Sequence, residues 1–115
     1  AICTNKLEHL ARKLLAAFGW SGRFASTVGG DTLALRKPDA APLLEAIRRA
    51  GGGPAVLVGD SITDIQTAAA AGLPCVAVTF GFRDRPATEL GAAALIDRFD
   101  QLTGALQKLD WPNDV

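Results

Sequence analysis

Two carboxylates four positions apart close the run Ala55-Val56-Leu57-Val58-Gly59-Asp60-Ser61-Ile62-Thr63-Asp64. Four apolar residues lead into a glycine, so Asp60 and Asp64 fall where an expected strand ends and an expected helix begins. In a parallel α/β sheet, ligands bind at the carboxyl ends of strands. Two acids there, with no local cation partner in sequence, suit a hard divalent ion. Mg²⁺ takes oxygen ligands and often binds through one or two carboxylates together with phosphate and water. The alternative is structural: Asp60 ends a strand and Asp64 sits in a first helical turn, where the macrodipole favours acids. Ser61 or Thr63 then serves as the cap.

Two other places carry groups that suit an anion. Thr4-Asn5 follows the apolar Ala1-Ile2-Cys3 and precedes a helical pattern. A hydroxyl and backbone N–H groups at a helix N-terminus bind phosphate, and the same residues also make an ordinary cap. Lys37 precedes Pro38, which restrains it to extended backbone. A lysine on such a stiffened loop neutralises a phosphate oxygen, or is simply a solvated surface cation. His9 lies beside Arg12 and Lys13 on a polar helix face and reads as solvated.

These groups need a folded frame. The chain has 115 residues, 49% of them hydrophobic, which suits one globular domain with a core and excludes disorder. No apolar stretch approaches the roughly 20 residues of a membrane span, and no secretory leader stands at the start. The net charge of zero argues against nucleic-acid binding. Residues 1–54 nevertheless hold 8 Lys/Arg and 4 Asp/Glu, whereas residues 55–115 hold 4 and 8, so the halves carry +4 and −4. Such a division is compatible with anion contacts early and metal ligands late. Cys3 and Cys75, both in apolar runs, read as buried thiols in a reducing, cytoplasmic compartment.

Periodicity supplies the elements. Leu7, Leu10, Ala11, Leu14, Leu15 and Phe18 predict a helix over 7–18, with Asn5 as N-cap, Glu8 as its capping-box partner and Gly19 at its end. Ser26-Thr27-Val28 predicts a short strand and Gly29-Gly30 a turn. A helix follows over about 40–50, capped by Asp39, with Pro42 in its first turn, a buried stripe of Leu43, Leu44 and Ile47, and Arg48 and Arg49 at its end. Gly51-Gly52-Gly53-Pro54 breaks it and reads as a connection. Ala55–Val58 predicts a strand covered on both faces. Ile62, Ile65, Ala68 and Ala69 predict a helix ended by Gly72 and Pro74, and Cys75–Val78 a further strand. Strand, helix and strand in this register form a βαβ unit with parallel pairing. Leu95-Ile96 predicts an outer strand, and Leu102, Leu106 and Leu109 a last helix before a tail that frays beyond Trp111-Pro112.

Taken together, the motifs resemble the haloacid dehalogenase superfamily. Thr4-Asn5-Lys6 after an apolar strand is similar to its second motif, Lys37-Pro38 to its third, and Gly59-Asp60-Ser61-Ile62-Thr63-Asp64 to its fourth. Gly29-Gly30-Asp31-Thr32, Arg36-Lys37-Pro38 and Thr79-Phe80-Gly81-Phe82 further resemble its phosphoglycolate phosphatase branch. The resemblance implies an α/β, three-layer Rossmann-like core with a mainly parallel sheet, and a Mg²⁺-dependent phosphomonoesterase acting on a small phosphorylated substrate, 2-phosphoglycolate. It implies that Thr4 hydrogen-bonds the phosphoryl group with Asn5 beside it in the phosphate site, that Lys37 offsets its charge, that Asp60 ligates Mg²⁺, and that Asp64 completes the metal shell directly or through Lys37 or water. The reaction implied is two in-line displacements through a phospho-aspartyl enzyme.

The superfamily's first motif, Asp-x-Asp-Gly-Thr, supplies the nucleophile and the general acid/base, and this chain contains no Asp-x-Asp. The helical cap between the first two motifs is also missing. Residues 1–115 therefore read as the carboxyl-terminal core portion of a phosphatase, inactive alone and lacking the central strand beside the one ending in Val58. Uncovered apolar surface is the expected consequence. The competing reading is a non-catalytic phosphate-binding or interaction module. Pyrophosphate, another small phosphate ester or a hexose-phosphate mutase reaction are competing chemistries for the parent enzyme. A receiver-type signalling domain is excluded, because its paired acids precede the phosphorylated aspartate in chain order.

Overall fold

The computed structural model describes residues 1–80 and 91–109. Gly81, Phe82 and the tail beyond Trp111 lie outside the described residues. The chain forms two compact units, Ala1–Gly53 and Pro54–Val115, divided at the glycine break read from the sequence. Together they give an α/β fold in which every observed strand pairing is parallel.

In the first unit, strand β1 (Ile2–Cys3) leads through helix α1 (Glu8–Ala17) to β2 (Thr27–Val28), and helix α2 (Ala41–Arg49) follows. Ile2 pairs with Thr27 and Cys3 with Val28. Two backbone bonds of 3.0 Å, from Ile2 N–H to Ser26 O and from Thr4 N–H to Val28 O, extend the ladder at each end. Helix α2 packs on both strands, with Pro42, Leu43 and Ala46 buried and Val28 fully enclosed. The buried Ser26 hydroxyl donates to Ala46 O at 2.8 Å. Ala40, not Asp39, holds the N-cap of α2, and Asp39 Oδ1 accepts from Ala41 N–H at 2.8 Å from one residue earlier.

The expectations for Leu44 and Asn5 are corrected. Leu44 is exposed: the helical turn of 100° per residue that directs Leu43 inward carries Leu44 off the buried face, and Pro42 replaces it there. The apolar stripe of α1 is largely uncovered. Only Ala11 is buried, while Leu14 is 48% and Phe18 58% exposed, because a sheet of two two-residue strands is too narrow to cover a whole stripe. Asn5 does not cap α1. Leu7 holds that position without a side-chain bond, and the Asn5 side chain is engaged elsewhere. Gly19 does end α1 as expected, with Trp20 N–H bonded to Leu15 O at 2.8 Å and Gly19 N–H to Ala16 O at 3.0 Å, the paired closure of a Schellman motif.

The second unit builds a parallel sheet in the order β3 (Leu57–Gly59), β4 (Cys75–Val78), β5 (Ala94–Ile96). Helix α3 (Ile62–Ala71) connects β3 to β4, and α4 (Leu102–Lys108) follows β5 through a 3₁₀ turn at Phe99–Gln101. Side chains of β4 alternate across the sheet. Val76 and Val78 join Ile96 under Leu102, Ala105 and Leu106 of α4, whereas Ala77 packs with Ile62 and Ile65 of α3. This places a helix on each face of the sheet. The βαβ reading and the outer strand hold. The first strand of this unit starts two residues later than Ala55, although Val56 still packs into its core. Cys75 is buried as expected, while Cys3 is only half-buried. Among the described residues, no helix is long and apolar enough to cross a membrane.

Candidate functional site

Thr4, Asn5 and Lys37 belong to the first unit. Thr4 is the first residue beyond β1, tied to β2 through its backbone, and its Oγ1 accepts from Lys6 N–H at 3.1 Å. That bond fixes a tight turn before α1. Asn5 spans 32 residues of sequence to grip the Lys37 peptide on both sides. Its Nδ2 donates to Lys37 O and its Oδ1 accepts from Lys37 N–H, each at 3.0 Å. The structure thus joins Asn5 to Lys37 through the lysine backbone, a link that neither residue's neighbours in sequence announce. Lys37 is half-buried, and the bond to Pro38 is cis.

The turn has further anchors, supplied by the loop after β2. Asp31 Oδ1 accepts the Glu8 N–H, the first of α1, at 2.8 Å. This remote carboxylate satisfies a donor that the sequence assigned to local capping. Thr32 Oγ1 accepts from Gly29 N–H at 2.8 Å and donates to Glu8 Oε1 at 2.7 Å. Arg12 Nε donates to the other Glu8 oxygen at 3.1 Å. The Thr32 hydroxyl and then Arg12 hold the Glu8 carboxyl below its usual range. Gly29 and Gly30 admit no side chain, because a Cβ at either would overlap backbone atoms of Glu8 or Asn5. The Gly-Gly-Asp-Thr run was the only signal in sequence for this anchor.

Asp60 and Asp64 belong to the second unit, at the carboxyl end of β3 and in the first turn of α3, as their spacing predicted. Asp64 Oδ2 accepts from Asp60 N–H at 3.0 Å and from the Ser61 hydroxyl at 3.2 Å. The carboxylate of Asp64 is therefore folded back over the loop that carries Asp60, and Asp64 is only 6% exposed. Ser61 occupies the N-cap, but its hydroxyl serves Asp64 instead of the helix backbone. Gly59 makes the fold-back possible, since a Cβ there would overlap the Asp64 carboxylate. Asp60 itself is half-buried. Among the described residues, no cluster of three or more His, Cys, Asp or Glu stands ready to hold a metal ion. What the second unit offers is two carboxylates on one turn, a hard-oxygen set suited to Mg²⁺ completed by phosphate and water.

The haloacid dehalogenase-like hydrolase model matches residues 1–72, which contain all five candidate residues. The chain is 52% identical over 105 residues to a phosphoglycolate phosphatase from Mesorhizobium japonicum, covering 90% of this chain and 46% of that protein. It is 48% identical over 108 residues to one from Agrobacterium fabrum, covering 92% of this chain and 46% of the relative. Among solved structures, a predicted phosphoglycolate phosphatase from Haemophilus somnus superimposes with a TM-score of 0.83 at 30% identity, covering 91% of this chain and 48% of that one. The chain thus spans about half the length of the relatives it matches. With a family model that covers more than half of its residues, the chain belongs to the haloacid dehalogenase-like hydrolases.

Proposed function

We propose that the complete polypeptide is a cytoplasmic, Mg²⁺-dependent phosphomonoesterase that hydrolyses 2-phosphoglycolate to glycolate and phosphate. The reading rests on relatives of about half identity that bear the phosphoglycolate phosphatase name. The observation that carries it here is the Gly59–Asp64 turn, where a buried acid folds back to frame a second acid at a strand's carboxyl end.

Thr4 and Asn5 contact the phosphoryl group, and Asn5 also fixes the Lys37 peptide, so that the lysine ammonium is presented from a held backbone. The ammonium offsets charge on the equatorial oxygens as the phosphoryl group transfers. Asp60 and Asp64 hold Mg²⁺, which supplies charge neutralisation and orientation when bound. Asp64 keeps its carboxylate in place through the Asp60 N–H and the Ser61 hydroxyl. The nucleophile and general acid/base are aspartates outside residues 1–115, since this sequence has no Asp-x-Asp. Transfer runs through a phospho-aspartyl intermediate on that nucleophile.

Purified 1–115 and the complete polypeptide, each assayed with 2-phosphoglycolate and Mg²⁺, test this reading. The complete polypeptide turns over and 1–115 does not. Turnover by 1–115 above the blank would assign the nucleophile to a residue within it and contradict the proposal.

A further inference from the structure

The loop Gly29–Thr32 contributes no group to the chemistry described above, yet it grips the Thr4–Glu8 turn through three hydrogen bonds. Gly30 N–H donates to Lys6 O at 2.8 Å. Asp31 accepts the Glu8 N–H, and Thr32 bridges Gly29 N–H to the Glu8 carboxylate. The two glycines lie so close to Glu8 and Asn5 that no side chain fits between them. The backbone of this turn places Thr4 and Asn5, and the turn's own internal bond is the single one from Lys6 N–H to Thr4 Oγ1. From these contacts we propose that Asp31 and Thr32 are positioning residues for phosphate binding, acting through the turn they clamp. The inference rests on the phosphate role assigned to Thr4 and Asn5. Asp31 replaces a local cap that α1 lacks, and Thr32 holds the Glu8 side chain; neither is assigned a contact with the phosphoryl group.

The consequence is a link between a loop distant in sequence and affinity for the phosphoryl group, with no effect on the metal acids of the second unit. The acceptor atoms carry the role. Asn at position 31 keeps an oxygen for the Glu8 N–H, and Ser at position 32 keeps the bridging hydroxyl. The expected loss from removing either group is about tenfold, the scale of one hydrogen bond.

Affinity for inorganic phosphate, measured by calorimetry on the complete polypeptide, tests this together with amide exchange at Glu8 and Gly29. Asp31→Ala and Thr32→Val weaken phosphate binding about tenfold and speed exchange at those amides, while the Mg²⁺ concentration for half-activation stays constant. Asp31→Asn and Thr32→Ser recover phosphate affinity to within about twofold. Should Asp31→Ala unfold the protein, Thr32→Val carries the test. Unchanged phosphate affinity alongside faster exchange overturns the inference, as does a loss that the conservative variants fail to recover. A wild-type protein with protected Glu8 and Gly29 amides but no phosphate binding overturns the phosphate reading itself, which separates the two failures.

Discussion

The two units hold their candidate residues by opposite means. The first, whose sequence is rich in Lys and Arg, fixes its site with bonds that leap along the chain: 32 residues from Asn5 to Lys37 and 23 from Asp31 to Glu8. The second, rich in acids, fixes Asp60 and Asp64 within one turn, by a bond spanning four residues. A site built locally is set by the residues that compose it. A site built over long separations depends on the fold having closed, so side chains remote from the chemistry become part of its positioning.

The largest expected effect sharpens this contrast at the local site. In the complete polypeptide, Asp60→Asn removes one of only two acids on the turn, and kcat should fall by about a thousandfold, the upper range for loss of one charge-stabilising group. Steady-state rates on 2-phosphoglycolate read it, and a near-normal rate would return Asp60 to a strand-ending role. Lys37→Ala comes next, at about 3 kcal/mol of transition-state stabilisation, or roughly a hundredfold in kcat. Single-turnover rates check it, and an unchanged rate would make Lys37 a plain surface cation.

Asn5→Ala probes the long-range clamp. It deletes both bonds to the Lys37 peptide, and at about 1 kcal/mol each the loss in kcat/KM lies between about tenfold and thirtyfold. Asn5→Asp, which keeps one acceptor but loses the donor, should fall between Ala and wild type. If both variants match wild type, the clamp has no part in presenting Lys37.

The smallest effect is on acid stability and belongs to α2 of the first unit. Hydrogen bonds from Arg48 and Arg49 bring the Glu45 carboxyl down to about 2 from an ordinary 4.5. Folding favours its charged form, so its contribution is complete above pH 4.5 and fades as pH falls from 4.5 toward 2. Glu8, lowered by the Thr32 hydroxyl and Arg12, acts in the same direction. Urea unfolding of Glu45→Gln should lose less stability than wild type on acidification through that window. Parallel losses in the two proteins would remove the ion pairs from the account.

The same contrast explains what could be read in the sequence. Helices α1, α2 and α3 were legible because apolar spacing, Pro42 and the terminal glycines are local signals. The Gly59–Asp64 turn was legible because strand end, glycine and helix start lie in one short run. The Asn5–Lys37 clamp and the Asp31 anchor were not, since nothing local to Asn5 says that its amide faces a peptide 32 residues on. Sequence logic therefore assigned Asn5 to a cap that the fold gives to Leu7. The stripe on α1 shows the complementary failure: periodicity found the apolar face, but not how little of it a two-stranded sheet covers.

We propose a division of labour in which Thr4, Asn5 and Lys37 handle phosphate and Asp60 and Asp64 hold Mg²⁺. Titrating Mg²⁺ against the initial rate on 2-phosphoglycolate, for complete wild-type, Lys37→Ala and Asp60→Asn proteins, tests it most directly. The account predicts a raised half-activating Mg²⁺ concentration for Asp60→Asn and an unshifted one for Lys37→Ala. Equal shifts in both variants, or full wild-type activity in excess chelator, would contradict it.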